Sequence, residues 1–398
     1  MTAPGSVHIR GLDGIRGLAI SMVLLYHGWT YRGPGDIGET VGGTINAVRV
    51  IGWAGVDVFF VLSGFLITGI LVETKGQPRY WRNFLIRRGL RIFPLYYAVL
   101  VLLLGAGLVL ARAGVVSGAA GELARGAGNI WVNFLYVTNF AVATWGEDRV
   151  PLDTAWSLAI EEQFYLVYPA IVLLCTRRGL VLALVAMTAA APVLRVLVFE
   201  YGPQPVLGPY VLPFCRMDAL AIGGLVRLAY GGGRPEPALL AVLRRLALPL
   251  CAAAIAVLLA WSRKDVRFVA VGYTLTAVAA AALLVRLLAS PASPASPASS
   301  ASPASAPLRR VFESRALVHI GKVSYAVYLF HLIARAVVAQ GLARVFPREQ
   351  IGGTAYCAAQ LFGMSLLAIG AATASYHLFE RPILRLKDRW APAGRERF

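Results

Sequence analysis

The chain has 398 residues, of which 58% are hydrophobic and only 15% charged, with a net charge of +18 and a mean hydropathy of +0.66. So few charged groups cannot cover the surface of a water-soluble protein of this length, which excludes that class. The positive charge does not point to nucleic acid either, because the basic residues stand in short clusters between apolar runs, the distribution that sets membrane topology.

Crossing a bilayer takes about 20 apolar residues. Runs of that kind occur at 13–31, 52–73, 92–112, 156–175, 179–199, 210–229, 246–262, 267–288, 320–343 and 355–378. The expected fold is therefore all-α, a polytopic integral membrane protein of about ten transmembrane helices forming one domain over residues 1–398. The first run is followed by more of its kind without a small-residue cleavage site, so it is expected to be a span and not a removable signal. NIWVNFLYVTNFAVATW (129–145) is shorter and holds three asparagines. It is expected to be a re-entrant or interfacial helix, since leaving it uncrossed places most Lys- and Arg-rich loops on the cytoplasmic side, with both termini there. Among the outer loops SRKDVR (262–267) stands against that rule. The Pro/Ala/Ser run 290–307 is expected to be a cytoplasmic linker without chemistry. Cys175, Cys215, Cys251 and Cys357 lie singly in apolar segments without metal-ligand spacing, and no metal is expected.

Ionisable residues inside spans are costly and mark function or structural pairing. In the first span Arg16 and His27 are eleven residues apart, so they share one helix face about 16 Å apart along the axis. His27, Asp57, Glu161, Glu162, Arg216 and Asp218 lie at similar depths near the outer ends of four spans and are expected to meet in one pocket. There Asp57 or a glutamate would hold the His27 imidazole in one tautomer for general-base work. For Arg216, Asp218 and one glutamate the alternative is a buried ion pair that only fixes packing; for His27 it is a helix-packing hydrogen bond. At the cytoplasmic end Arg16, Arg87, Arg88 and Arg91 gather. They suit a phosphate clamp, because guanidinium groups bind phosphate bidentately, or a lipid anchor. A phosphate-bearing donor held there would extend an arm towards His27. Candidates for contacting substrate are Trp156, Tyr165, Arg216, Tyr328 and His331, and Ser63 is the nearest candidate for a nucleophile.

LDGIRGLAISMVLLYH, GVDVFFVLSGFLIT, FLIRRGLRIFPLYY, TAWSLAIEEQFYLVYP, FCRMDALAIGG, VSYAVYLFH and LFERPI follow one another along the chain. In this order they resemble the signature segments of the membrane-bound acyltransferase family 3. The resemblance implies an acyl-CoA-dependent O-acyltransferase of the plasma membrane that moves an acyl group, usually acetyl from acetyl-CoA, to a carbohydrate or secondary-metabolite hydroxyl. It implies Arg16 and His27 as an essential pair and Arg88 and Arg91 as an R-x-x-R pair. It also places Glu161 and Glu162 in a W-S-L-x-x-E-E segment and Tyr325, Tyr328 and His331 in an S-Y-x-x-Y-L-x-H segment. The chain is expected to lack the C-terminal SGNH-type esterase domain that some members append, so that any dependence on such a domain would be met by a partner or be absent. A macrolide-type acceptor is the alternative to a sugar, and a transporter with a proton relay is the competing class.

Overall fold

The structure, a computed structural model, describes residues 9–29, 45, 48–115, 118–230, 237–288, 306–345 and 353–391. The predicted linker 290–307 lies outside the described residues except for its last two, as do residues 30 and 31 of the first predicted span. There is no strand among the described residues.

Among the described residues there are ten long helices: α1 (Arg10–Gly28), α2 (Gly55–Thr74), α3 (Tyr80–Arg112), α4 (Trp156–Leu174), α5 (Arg177–Tyr201), α6 (Pro213–Tyr230), α7 (Pro237–Ala260), α8 (Tyr273–Leu288), α9 (Ser324–Val345) and α10 (Gly353–Ser375). Each overlaps one predicted span. The protein is an all-α, multi-pass membrane protein. By length and composition, however, eight helical segments among the described residues are apolar enough to cross a bilayer. The two predicted spans that fall short are 13–31 and 210–229. Here α1 carries Asp13 and Arg16, while α6 carries Arg216, Asp218 and Arg227. Both helices can tolerate these charges because other helices surround them. α6 lies between α2 and α5, and α1 packs on α2, α9 and α10.

The α2/α6 contact is backbone to backbone. A Cβ on Gly64 would run into the carbonyl of Leu220, and one on Gly223 into that of Val61. Small residues permit such approach in membrane bundles, where dispersion and hydrogen bonds replace the hydrophobic drive. Apolar side chains of both helices are buried nearly throughout, whereas α5 and α7 leave long apolar faces open, as lipid-facing helices should. α3 begins twelve residues before the predicted span. Its 33 residues, roughly 50 Å, exceed the roughly 30 Å hydrocarbon layer, so the turns bearing its arginines project past it.

Segment 129–145 is not one helix. It breaks into Trp131–Phe134 and Thr138–Trp145, with Tyr136 at φ 54° turning the chain between them. A non-glycine residue there costs about 1–2 kcal/mol, and the three asparagines hold the break together. Asn133 Nδ2 donates to Thr138 Oγ1 at 3.1 Å and Leu152 O at 3.0 Å, Asn139 Nδ2 to Gln163 Oε1 at 3.1 Å, and Asn129 Nδ2 to Arg149 O at 3.1 Å. From α3, Tyr96 and Tyr97 donate to the carbonyls of Asn133 and Phe134 at 3.0 and 3.2 Å.

With the N-terminus in the cytoplasm, if α1 crosses and 129–145 does not, a reporter fused after Arg125 is active outside the cytoplasm and one fused after Arg178 only inside; if α6 also crosses, one fused after Gly232 is again active only inside. An outside reporter at Arg178 would mean that α1 or segment 129–145 has been wrongly assigned, and an outside reporter at Gly232 alone that α6 does not cross.

Candidate active site

The six outer groups expected in one pocket separate into distinct clusters. Asp57 of α2 accepts a hydrogen bond from Arg216 of α6, and both side chains are buried. The Arg216 guanidinium also lies over the rings of Tyr273 (4.4 Å), Tyr210 (5.4 Å) and Phe60 (5.8 Å), so aromatic faces supply the rest of its compensation. Asp218 accepts from Arg195 of α5 at 2.9 Å and from Thr274 of α8 at 2.6 Å. Arg195 further donates to Thr274 Oγ1 at 2.5 Å and Cys215 O at 3.0 Å. Asp57 is thereby committed to Arg216 and does not orient His27. Arg195, four residues from the end of the predicted span 179–199, is not among the expected site residues, although an arginine within an apolar span signals a buried partner.

A second ion pair not anticipated from the sequence joins Arg227 of α6 to Glu73 of α2 near the C-terminal ends of both helices. The anomalous outer loop 262–267 also has an explanation. Arg263 turns inward, its guanidinium 4.7 Å from the Tyr210 ring and its Nη2 donating to Tyr26 Oη at 3.0 Å. Burial pushes the nearby Glu147 carboxyl above its ordinary value, and Arg263 opposes that rise.

The cavity that does form lies between α1, α2, α3, α4 and α9, with about 110 Å³ accessible to water. This is room for several waters or one small acyl group, a water needing roughly 10–15 Å³ on that measure. Arg16, Arg88 and Arg91 line one end and Ser157 and Tyr328 the other, with Glu161 on the wall. Glu161 accepts from Ser63 Oγ at 2.7 Å and Tyr165 Oη at 2.9 Å. Arg16 donates to Asp13 at 3.1 Å. Arg88 lies 5.8 Å from the Tyr165 ring and 6.0 Å from Phe84. Neither Arg88 nor Arg91 has an ion-pair partner among the described residues. Arg87 faces elsewhere and donates to Ala391 O at 2.9 Å, because one residue of helix turns it about 100° from Arg88. Glu162 borders Glu161 and Arg88 electrostatically, and its Oε1 is buried without a hydrogen bond. Trp156 is in the core, tilted against Tyr210 at 4.5 Å and edge-on to Phe60 at 6.1 Å, and is not on the cavity wall.

His27 is not on that wall either. Its ring lies 4.8 Å from the ring of His331, which is 5.5 Å from the ring of Tyr328. Tyr328 Oη donates to Thr154 O and contacts Ser157 Oγ, both at 2.7 Å. His27 is thus linked to the cavity-lining Tyr328 by way of ring contacts with His331. His27 Nδ1 donates to Val23 O at 3.0 Å, so a backbone carbonyl and not a carboxylate sets its tautomer. Among the described residues no group of three or more His, Cys, Asp or Glu side chains is placed to hold a metal.

A polytopic bundle with cationic side chains around an internal cavity defines the class, and sequence similarity defines the family. The profile of the acyltransferase domain family, Acyl_transf_3, matches residues 9–376, and the chain belongs to that family. Peptidoglycan O-acetyltransferase OatA of Listeria monocytogenes is 32% identical over 177 residues, 42% of this chain and 24% of that protein. The Bacillus subtilis protein named "Putative peptidoglycan O-acetyltransferase YrhL" is 30% identical over 214 residues, 50% of this chain and 30% of that protein. The matches thus cover less than a third of the length of these relatives. No solved structure matches the chain.

Breaking a buried ion pair leaves an uncompensated charge, at about 3–5 kcal/mol. Asp57→Ala and Asp218→Ala should therefore each lower the thermal midpoint of the detergent-solubilised protein sharply, whereas Glu162→Gln should leave it nearly unchanged. A wild-type midpoint for Asp57→Ala would show that Asp57 does not hold α2 to α6.

Proposed function

We propose that the protein transfers an acetyl group from acetyl-CoA, bound from the cytoplasmic side of the plasma membrane, to a hydroxyl of a cell-envelope carbohydrate. The observation that carries this reading is the pair of guanidinium groups, Arg88 and Arg91, that share a cavity wall with Arg16 and have no ion-pair partner among the described residues. Guanidinium groups in or beside a bilayer call for an anion, and a phosphate offers the planar, bidentate acceptor that suits arginine. The cavity beyond them is lined mainly by apolar side chains and ends at Ser157 and Tyr328, a suitable channel for a thioester arm. The names of the curated relatives favour a peptidoglycan acceptor over a secondary metabolite.

In this reading Arg16, Arg88 and Arg91 hold the donor's phosphates. His27 Nε2, left with a lone pair because Nδ1 donates to Val23 O, takes the proton from the acceptor hydroxyl. The hydroxyl oxygen attacks the thioester carbonyl, the C–S bond breaks and the thiolate leaves as the thiol once protonated. Asp57 and Arg216 serve this site by fixing α2 against α6. Glu161 anchors Ser63 and Tyr165 on the wall, and Glu162 adds negative charge beside Arg88.

The test is incubation of purified protein with labelled acetyl-CoA and peptidoglycan glycan strands. Alkali-labile label should appear on the glycan, and its absence with every hydroxylated acceptor supplied would sink the proposal. Arg88→Lys and Arg91→Lys keep the charge but lose the planar fork. Since a charge-assisted hydrogen bond is worth roughly 1.5–3 kcal/mol, each should raise the KM for acetyl-CoA about tenfold or more. Unchanged values in both would make the arginines lipid anchors.

A further inference from the structure

Both histidines of the 4.8 Å ring pair are tied in the same way. His27 Nδ1 donates to Val23 O, four residues back on α1, at 3.0 Å, and His331 Nδ1 donates to Tyr328 O, three residues back on α9, at 2.6 Å. Backbone carbonyls only accept, so in the neutral rings each Nδ1 holds the hydrogen and each Nε2 holds the lone pair. The two rings differ in exposure. His27 is half-buried, whereas His331 is fully buried and its Nε2 has no hydrogen-bond partner. A buried acceptor without a donor carries a desolvation cost of about 1–3 kcal/mol, and such a group calls for an explanation.

The charged groups bearing on the His27 ring sharpen the question. They are Arg335 and Arg49, with no carboxylate among the principal ones. Asp57 is occupied by Arg216, and Glu161 by Ser63 and Tyr165. A proton taken up by His27 therefore has no anion to rest against, in contrast to the usual histidine–carboxylate arrangement. The neighbouring ring supplies an unused lone pair instead.

We propose that His331 is the positioning partner of His27: its buried Nε2 shares the proton that His27 Nε2 removes from the acceptor, until the donor's leaving group takes it. This rests on the acyl transfer proposed above. The O–H bond of the acceptor breaks as the N–H bond at His27 forms, the C–O ester bond forms as the bond to the leaving group breaks, and the same proton ends on that leaving group. No metal, oxidant or further reactant is needed. Half-buried His27 meets the acceptor, and fully buried His331 acts on the reaction through the His27 ring.

The test is a double-mutant cycle on the full chain with peptidoglycan glycan strands as acceptor and either acetyl-CoA or 4-nitrophenyl acetate as donor, so that a wrong donor assignment does not block it. His331→Asn reproduces the Nδ1–H donor but removes Nε2, and His331→Gln places an amide near the site of Nε2. His331→Asn should lower kcat at least about tenfold, less than the roughly 10²–10⁴-fold due to the base itself, with the KM for donor unchanged and with partial recovery in His331→Gln. The His27→Ala/His331→Asn double variant should be no slower than His27→Ala alone, because residues acting as a unit are not additive. Wild-type kcat in His331→Asn, effects that multiply in the double variant, or loss of the fold in both His331 variants would each make the residue a packing group and overturn the proposal. Wild-type turnover in His27→Ala would instead overturn the general-base reading on which it rests.

Discussion

A charge inside a bilayer must be matched by something close at hand, and the way this chain matches its arginines organises the whole molecule. Arg216 is met by Asp57 and three aromatic rings, Arg195 by Asp218, Thr274 and a carbonyl, and Arg227 by Glu73. These contacts join α2, α5, α6 and α8 into a central block whose helices approach as closely as Gly64 and Gly223 allow. Replacing such a pair with apolar residues is often neutral or stabilising elsewhere, so its value here is registration. It holds α2 at the rotation that turns Ser63 towards Glu161 and the cavity.

Against that block, the arginines on the cavity wall stand out. Arg16 has Asp13, but Arg88 and Arg91 line the cavity without an ion-pair partner within hydrogen-bond reach among the described residues, Arg88 lying over the Phe84 and Tyr165 rings with Glu161 and Glu162 farther off. The contrast between matched and unmatched guanidinium groups separates the structural cations from the candidate binding ones, which residue type alone cannot do. Apart from Arg16, which pairs with Asp13 on its own helix and still lines the cavity, the matched ones lie at helix–helix contacts and the unmatched ones face the cavity. The histidine pair lies past its opposite end, so binding and proton transfer are assigned to groups separated by the cavity and the Tyr328 ring.

Much of this was legible in the sequence, for identifiable reasons. Hydropathy located ten helices because a span must be apolar over about 20 residues, and the asparagines of 129–145 marked the broken segment because each needs hydrogen-bond partners. Depth was also readable, since a helix rises 1.5 Å per residue. What depth cannot supply is azimuth. Asp57 and His27 lie at similar depths, yet rotation of α2 against α6 delivers Asp57 to Arg216, and that rotation is set by close glycine contacts, Gly64 on Leu220 and Gly223 on Val61, which composition does not show. The same ambiguity separated Arg87 from its neighbour Arg88 and moved Trp156 into the core. His331 was visible as a mid-span histidine, but its pairing with His27 depends on how α1 and α9 meet.

The central claim is that donor binding and proton transfer belong to separate groups at opposite ends of one cavity. Equilibrium binding of labelled acetyl-CoA to purified Arg16→Ala and His27→Ala variants tests it most directly. The account predicts that His27→Ala binds donor as tightly as the unmodified protein while Arg16→Ala binds it at least about tenfold more weakly, the loss expected for one charge-assisted contact. Equal weakening in both variants, or none in Arg16→Ala, would contradict it.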